Sequence, residues 1–166
     1  MKISVHTKIV GGDDVLNCTF AGHREVLEPS IHNLLVDALE KIARKNNEIT
    51  FYTGGMGEFD AMCGAAVRQL KRHFPEKKIC LYLVCPYMTT SINRDAYYLK
   101  EQYDDVLIPS ELMGCHYKSA ITQRNRWLVD HSDTIITYVK RDYGGACTTK
   151  KYAERKGLIV INLWSE

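Results

Sequence analysis

The run KKICLYLVCPY (77–87) is almost continuously apolar. A strand with one face in water alternates apolar and polar residues. An unbroken run therefore predicts a strand buried on both faces, which is the usual state in a parallel sheet. The rest of the chain fits that sheet. VLNCTFAG (15–22), ITFYTGG (49–55), DVLIP (105–109), DTIITYVK (133–140) and LIVINLW (158–164) read as further strands. Between them lie segments with helical periodicity. In EPSIHNLLVDALEKIARKNNE, Ile31, Leu34, Leu35, Ala38, Leu39 and Ile42 form one apolar stripe, and Pro29 suits a first helical position. A second helix begins near Asp60, with Met62, Ala65, Ala66 and Leu70 on one face. INRDAYYLKEQY, YKSAITQRNRWLVDHS and TTKKYAERKG supply three more, the last closed by Gly157.

Strands alternating with helices predict a parallel sheet covered on both sides. We expect a Rossmann-like α/β fold, a single doubly wound domain over 15–166, with six mainly parallel strands in the order 3-2-1-4-5-6 and right-handed crossovers. Residues 1–14 fall outside this scheme. KISVHTKIV alternates and GGDD resembles a turn, so an N-terminal extension or hairpin is expected there.

A chain of 166 residues favours one domain. Its formal net charge of +2 is too small to argue for nucleic acid by itself. No apolar run reaches the roughly 18 residues of a membrane helix, and MKISVHTK lacks a signal-peptide core, so a cytoplasmic protein with no membrane partner is expected. The six cysteines form no Cys-x-x-Cys pair. Only Cys115 and His116 are neighbours, and adjacent residues seldom hold one ion, so neither a metal nor a cofactor is expected.

In doubly wound sheets ligands bind beyond the carboxyl ends of the strands. Three of those ends carry glycine. The first strand leads into Gly22, His23 and Arg24; the second into Gly54, Gly55, Gly57 and Asp60; the fifth into Gly144, Gly145 and Thr148. Glycine lets a backbone approach a phosphate, and the helix that follows offers unpaired N–H groups. One Gly-Gly alone is as well explained by a tight turn; three on one rim point to a ligand. Arg124 and Asn125 lie on the helix before the fifth strand. Arg124 and Arg126 are two apart and cannot share a face. Asp60 either caps its helix or binds a ribose hydroxyl. Tyr87, Tyr97 and Tyr98 are candidates for a base-stacking face, Trp127 for the core, and Cys147, at a helix start beside Lys150 and Lys151, for a reactive thiol.

FAGHRE, FYTGGMGEFD, RNRWLVDHSD and YVKRDYGGACTTKKYAERKGLIVINL together resemble the SLOG superfamily, the Rossmann-like group of Smf/DprA and LOG proteins, and within it the small bacterial proteins related to YpsA. The resemblance spans about residues 15–163. It implies binding of nucleotides or nucleotide-derived ligands, and self-association into a homodimer. LOG-like members cleave a nucleoside monophosphate into base and ribose 5-phosphate, using an Arg and the motif Pro-Gly-Gly-x-Gly-Thr-x-x-Glu. Arg124 matches that Arg, and Gly144, Gly145 and Thr148 match the Gly-Gly and Thr. Tyr143 replaces the Pro, Cys147 the third Gly and Lys151 the Glu.

The resemblance therefore implies a nucleotide-binding protein, a sensor or regulatory module, whose glycine turns hold phosphate. Two alternatives stand beside it. One is a LOG-like phosphoribohydrolase whose carboxylate is displaced, with Glu154, Asp60 or Glu58 as candidates beside Arg124. The other is DprA-like binding of single-stranded DNA, for which the basic stretches RQLKRH and TTKKYAERK are the only local support.

Overall fold

A computed structural model describes residues 15–165. The extension or hairpin expected at 1–14 lies outside the described residues. Six strands form one all-parallel sheet: β1 (Val15–Gly22), β2 (Glu48–Thr53), β3 (Lys78–Val84), β4 (Asp105–Leu107), β5 (Thr134–Tyr138) and β6 (Ile159–Asn162). They are joined by α1 (Ser30–Lys45), α2 (Glu58–His73), the short α3 (Thr90–Arg94) and α4 (Ala96–Gln102), α5 (Tyr117–Asp130) and α6 (Gly145–Arg155). The helix expected over INRDAYYLKEQY is two pieces that meet at Asp95.

The α/β Rossmann-like class stands, with a different strand order. The sheet runs β4-β3-β2-β1-β5-β6, not 3-2-1-4-5-6. The misplaced strand is β4. It has three residues and pairs only over Tyr82↔Asp105 to Val84↔Leu107, a length suited to an edge. The residue before it fixes it there, because Asp104 accepts the Leu81 N–H at 2.7 Å and the Lys71 ammonium at 2.7 Å. The central place beside β1 goes to β5, all five of whose residues are buried. Asp133 anchors it by the same device, accepting the Asn17 N–H at 2.9 Å.

Each face has its own core. The apolar stripe of α1 packs with Phe59, Cys63, Val67 and Leu70 of α2 over Cys18, Phe20, Ile49, Phe51, Ile79, Leu81, Ile136 and Tyr138. Each large side chain buried here stabilises by about 1.5–3 kcal/mol relative to exposure. The residues at alternate strand positions face the other way. There α5 covers Tyr52, Tyr82, Val84 and Leu107 with Trp127 and Leu128, and α6 meets Val129 and Ile135 through Ala153. The chain leaves β1 towards β2 and leaves β5 towards β6, in opposite directions. The sheet therefore has its switch point between β1 and β5, where a crevice opens above the carboxyl ends.

Candidate functional site

A cleft of about 450 Å³ occupies that crevice. Gly22, His23 and Arg24 reach it from β1, Gly54 and Asp60 from the β2–α2 turn, Arg124 and Asn125 from α5, and Gly145 from the start of α6. The residues expected at three strand ends and on one helix thus converge. Gly55, Gly57, Gly144 and Thr148 belong to the same turns without lining the cleft. Thr149 faces it in place of Thr148, whose exposed hydroxyl donates back to the Gly144 carbonyl at 3.0 Å.

Arg124 is the most constrained group. It is 2% exposed, and its Nη1 donates to the carbonyls of Gly54 at 3.0 Å and Val84 at 2.8 Å. Its Nε donates to Asn125 Oδ1 at 3.0 Å, and Nη2 reaches Met56 Sδ at 3.4 Å. A guanidinium has five N–H donors, so four are used and one on Nη2 remains for a ligand. Arg124 thereby ties together the carboxyl ends of β2 and β3. Gly54 makes room for it: a Cβ there would lie 2.7–2.9 Å from the guanidinium. Gly22 likewise admits the buried Phe59 ring, 2.2 Å from the position of a Cβ. These two glycines serve packing.

Asp60 is half-buried in the first turn of α2 and accepts the Met56 N–H at 2.9 Å. Burial pushes its carboxyl up to about 6, against the Met56 hydrogen bond and the Arg124 charge, which both pull it down. Glu58 is spent on structure, accepting the Val26 N–H at 2.8 Å. His23 is held by the end of β5 and the residues after it. Its main-chain N–H donates to the Tyr138 carbonyl at 3.2 Å, and its ring Nε2 accepts the Lys140 main-chain N–H at 3.0 Å. Burial and the nearby charges of Arg141 and Lys140 lower its pKa, consistent with a neutral ring that accepts a proton donor. Beneath it Glu28 accepts from Tyr138 Oη and pairs with Lys140 Nζ at 2.8 Å.

The α6 turn is different in kind. Gly144 has φ +94°, and nothing lies within 4 Å of where a Cβ would stand on Gly144 or Gly145. The first intrahelical bond is Thr148 N–H to Gly144 O, so the N–H groups of Gly145, Ala146 and Cys147 have no acceptor among the described residues. No acidic residue occupies this first turn. Arg24 and Arg141 line the cleft nearby, and neither has a carboxylate partner among the described residues.

Other candidates fall elsewhere. Lys151 is exposed, its ammonium 3.4 Å from the Asp142 carbonyl, and Glu154 pairs with Lys150 at 2.6 Å; neither lines the cleft. Cys147 is buried, 5% exposed. Tyr87, Tyr97 and Tyr98 are exposed and away from the cleft. Trp127 is core, stacked on His131 at 3.9 Å. Among the described residues no three His, Cys, Asp or Glu side chains group as a metal site. No helix among them is long and apolar enough to cross a membrane.

Several lining residues escape a reading of glycines alone. Lys140 and Arg141 lie two and three residues past the end of β5, on the same rim as the glycine turns. Ile121 and Leu128 lie three before and four after Arg124, on one face of α5. With Phe20 and Met56 they add apolar surface to the lining beside its basic residues.

No protein-family model and no curated protein matches the chain. Solved structures do. The chain is similar over 87% of its length to DNA processing protein A from Helicobacter pylori, described for its single-stranded DNA binding mode (14% identity, TM-score 0.59). It is similar over the same share to DprA from Streptococcus pneumoniae (15% identity, TM-score 0.62) and to the structural-genomics target TM1055 (11% identity, TM-score 0.54). The match spans 63%, 49% and 72% of those chains, respectively. The fold is thus DprA-like.

Proposed function

We propose that this chain binds a nucleotide or nucleotide derivative in the β1/β5 cleft and acts as a sensor or regulatory module. The observation that carries the reading is the open start of α6. This helix start has three unpartnered N–H groups and two uncrowded glycines, and its Gly145 and Ala146 line the same cleft as Arg24 and Arg141. A phosphate there satisfies the orphan donors and the unpaired guanidinium groups together. The size supports it, since about 450 Å³ lies within the ordinary range for small-ligand sites. The apolar surface of Phe20, Ile121 and Leu128 suits a base. The spare N–H of Arg124 and the free oxygen of Asp60 suit ribose hydroxyls.

Binding without rapid cleavage is the preferred form of this reading. Lys151 stands where the LOG motif has Glu, and Glu154 is paired on the outer side of α6. Calorimetric titration with adenosine 5'-monophosphate tests the binding: saturable heat in wild type, lost in a Gly145→Asp variant, is expected. The absence of heat for any purine or pyrimidine monophosphate overturns it.

One observation favours hydrolysis as a second reading. A carboxyl raised to about 6 beside a buried arginine suits general acid catalysis near neutral pH. Release of free base from the monophosphate, abolished by Asp60→Asn, would establish that reading in place of a pure sensor. The likeness to the H. pylori protein raises single-stranded DNA as a ligand; such binding would fall steeply with added salt.

A further inference from the structure

A smaller recess of about 110 Å³, room for three to four waters, opens between α5 and α6. It adjoins the main cleft, since Asn125, Gly145 and Thr149 line both. Helical spacing builds its walls. Thr122 and Arg126 are four apart on α5, and Thr148, Tyr152 and Arg155 follow at four and three on α6.

The charge there is unbalanced. Three cations gather on the Tyr152 ring: Arg126 at 5.7 Å from its centroid, Arg155 at 5.7 Å and Lys156 at 5.4 Å. The carboxylate among them, Asp130, is already engaged, accepting from Tyr152 Oη at 3.0 Å and pairing with Lys156 at 3.0 Å. Arg126 and Arg155 have no ion-pair or hydrogen-bond partner among the described residues. Gathered like charges repel, and an anion between them reverses the sign of that interaction. Two guanidinium groups held against one aromatic ring present planar donor forks, the geometry that phosphate oxygens accept.

We propose that this recess binds a second phosphate group of the same ligand, so that the ligand is a nucleotide carrying two phosphates, one at the Gly144–Gly145 turn and the other between Arg126 and Arg155. The proposal rests on the nucleotide reading of the main cleft and narrows it. A monophosphate fills the cleft and leaves the two arginines unpaired. A nucleoside bisphosphate or a diphosphate spans both lobes past Asn125, whose Oδ1 is already taken by Arg124 and whose amide N–H groups remain to donate.

The test compares adenosine 5'-monophosphate, adenosine 5'-diphosphate and adenosine 3',5'-bisphosphate by calorimetry on wild type and on an Arg126→Gln, Arg155→Gln double variant. Both side chains are exposed, so the variant should keep its fold, checked by circular dichroism. At least one two-phosphate nucleotide is expected to bind wild type about tenfold or more tighter than the monophosphate, as charge-assisted hydrogen bonds warrant. Which of the two gains identifies how the phosphates are attached. The double variant should lose that advantage and bind the monophosphate as wild type does. Equal affinity of all three nucleotides for wild type, or an equal loss for all three in the variant, overturns the proposal. Inorganic pyrophosphate separates this failure from that of the main-cleft reading. Followed by amide chemical shifts, it should move Tyr152 and Arg155 together with Gly144–Cys147. Shifts confined to Gly144–Cys147 remove the recess alone. Shifts confined to Tyr152 and Arg155 remove the phosphate from the α6 turn, and no shifts remove both.

Discussion

The turns from β2 into α2 and from β5 into α6 carry nearly the same backbone at their helix-capping glycine. Gly57 has φ 92° and ψ 175°; Gly144 has φ 94° and ψ 174°. Their surroundings are opposite. In the β2 turn the Gly55 N–H donates to Thr53 Oγ1, the Met56 N–H to Asp60 and the Glu58 N–H to the Arg24 carbonyl. Glu58 and Asp60 supply the negative charge that a helix start attracts. In the β5 turn the matching donors are free, the space is open and the first turn of α6 carries no acid. One glycine turn has been spent on the fold, and the other stays open. A Gly-Gly pair therefore does not define an anion site; the partners of its N–H groups do.

Five substitutions sharpen this contrast. The largest effect is expected for Gly54→Ala. Its Cβ would enter within 3 Å of the Arg124 guanidinium and break the bonds that join β2 to β3. Losing two charge-assisted hydrogen bonds in a buried site costs about 3 kcal/mol. Urea denaturation measures it, and a loss under about 0.5 kcal/mol would mean that Arg124 has another resting place.

Next comes a matched pair. Gly57→Ala and Gly144→Ala both force an L-residue into positive φ, at about 1–2 kcal/mol. Only the first also brings a Cβ within 2.9 Å of Arg24 Cα. Gly57→Ala should be the more destabilising by about 1 kcal/mol or more. Equal melting temperatures for the two variants would refute the claim that one turn is packed and the other open.

Gly145→Asp reverses the weighting. A carboxylate at the start of α6 complements the helix dipole, so stability should hold or rise by a few tenths of a kcal/mol. Phosphate binding should fall at least tenfold, or about 1.4 kcal/mol, because the new carboxylate occupies the place of the anion. Equilibrium dialysis with labelled nucleotide reads this, and undiminished binding would exclude the α6 turn as the phosphate site.

The smallest effect belongs to Asp60. Its folded pKa is raised, so the native state holds the proton more tightly than the unfolded chain. Stability is then greatest below the unfolded pKa near 4 and declines as pH rises through about 6, with a slope of at most about 1.4 kcal/mol per pH unit. Partial solvent access reduces the total to about 1 kcal/mol. Asp60→Asn should flatten the stability profile between pH 4 and 6.5. A profile of unchanged slope would place the titration on another group.

The legible part of this protein was local. The strand KICLYLV, the helical stripe from Ile31 to Ile42 and the glycines after three strands are each written in neighbouring residues; yet the strand buries one face fully and the other only in part, Leu34 of the stripe is exposed, and Gly55, Gly57 and Gly144 do not line the cleft. Arg124 was legible as a candidate from its motif spacing. Its work as a clamp was not, because the carbonyls of Gly54 and Val84 lie 70 and 40 residues away. The same holds for Glu154 and Thr148: one lies on the outer side of α6 with Lys150, the other turns its hydroxyl back on the helix, and helix phase settled both.

By itself the sequence determined the alternation of strand and helix, the parallel sheet that follows from it, and the rim on which a ligand would lie. These depend on periodicity and on turn residues, which act over a few positions. The tertiary structure alone decided the rest. It placed the three-residue β4 at the edge and β5 beside β1, through the hydrogen bonds of Asp104 and Asp133 to distant strands. It also decided which of two equivalent glycine turns stays open, because that depends on whether an acceptor from elsewhere in the chain reaches the N–H groups first.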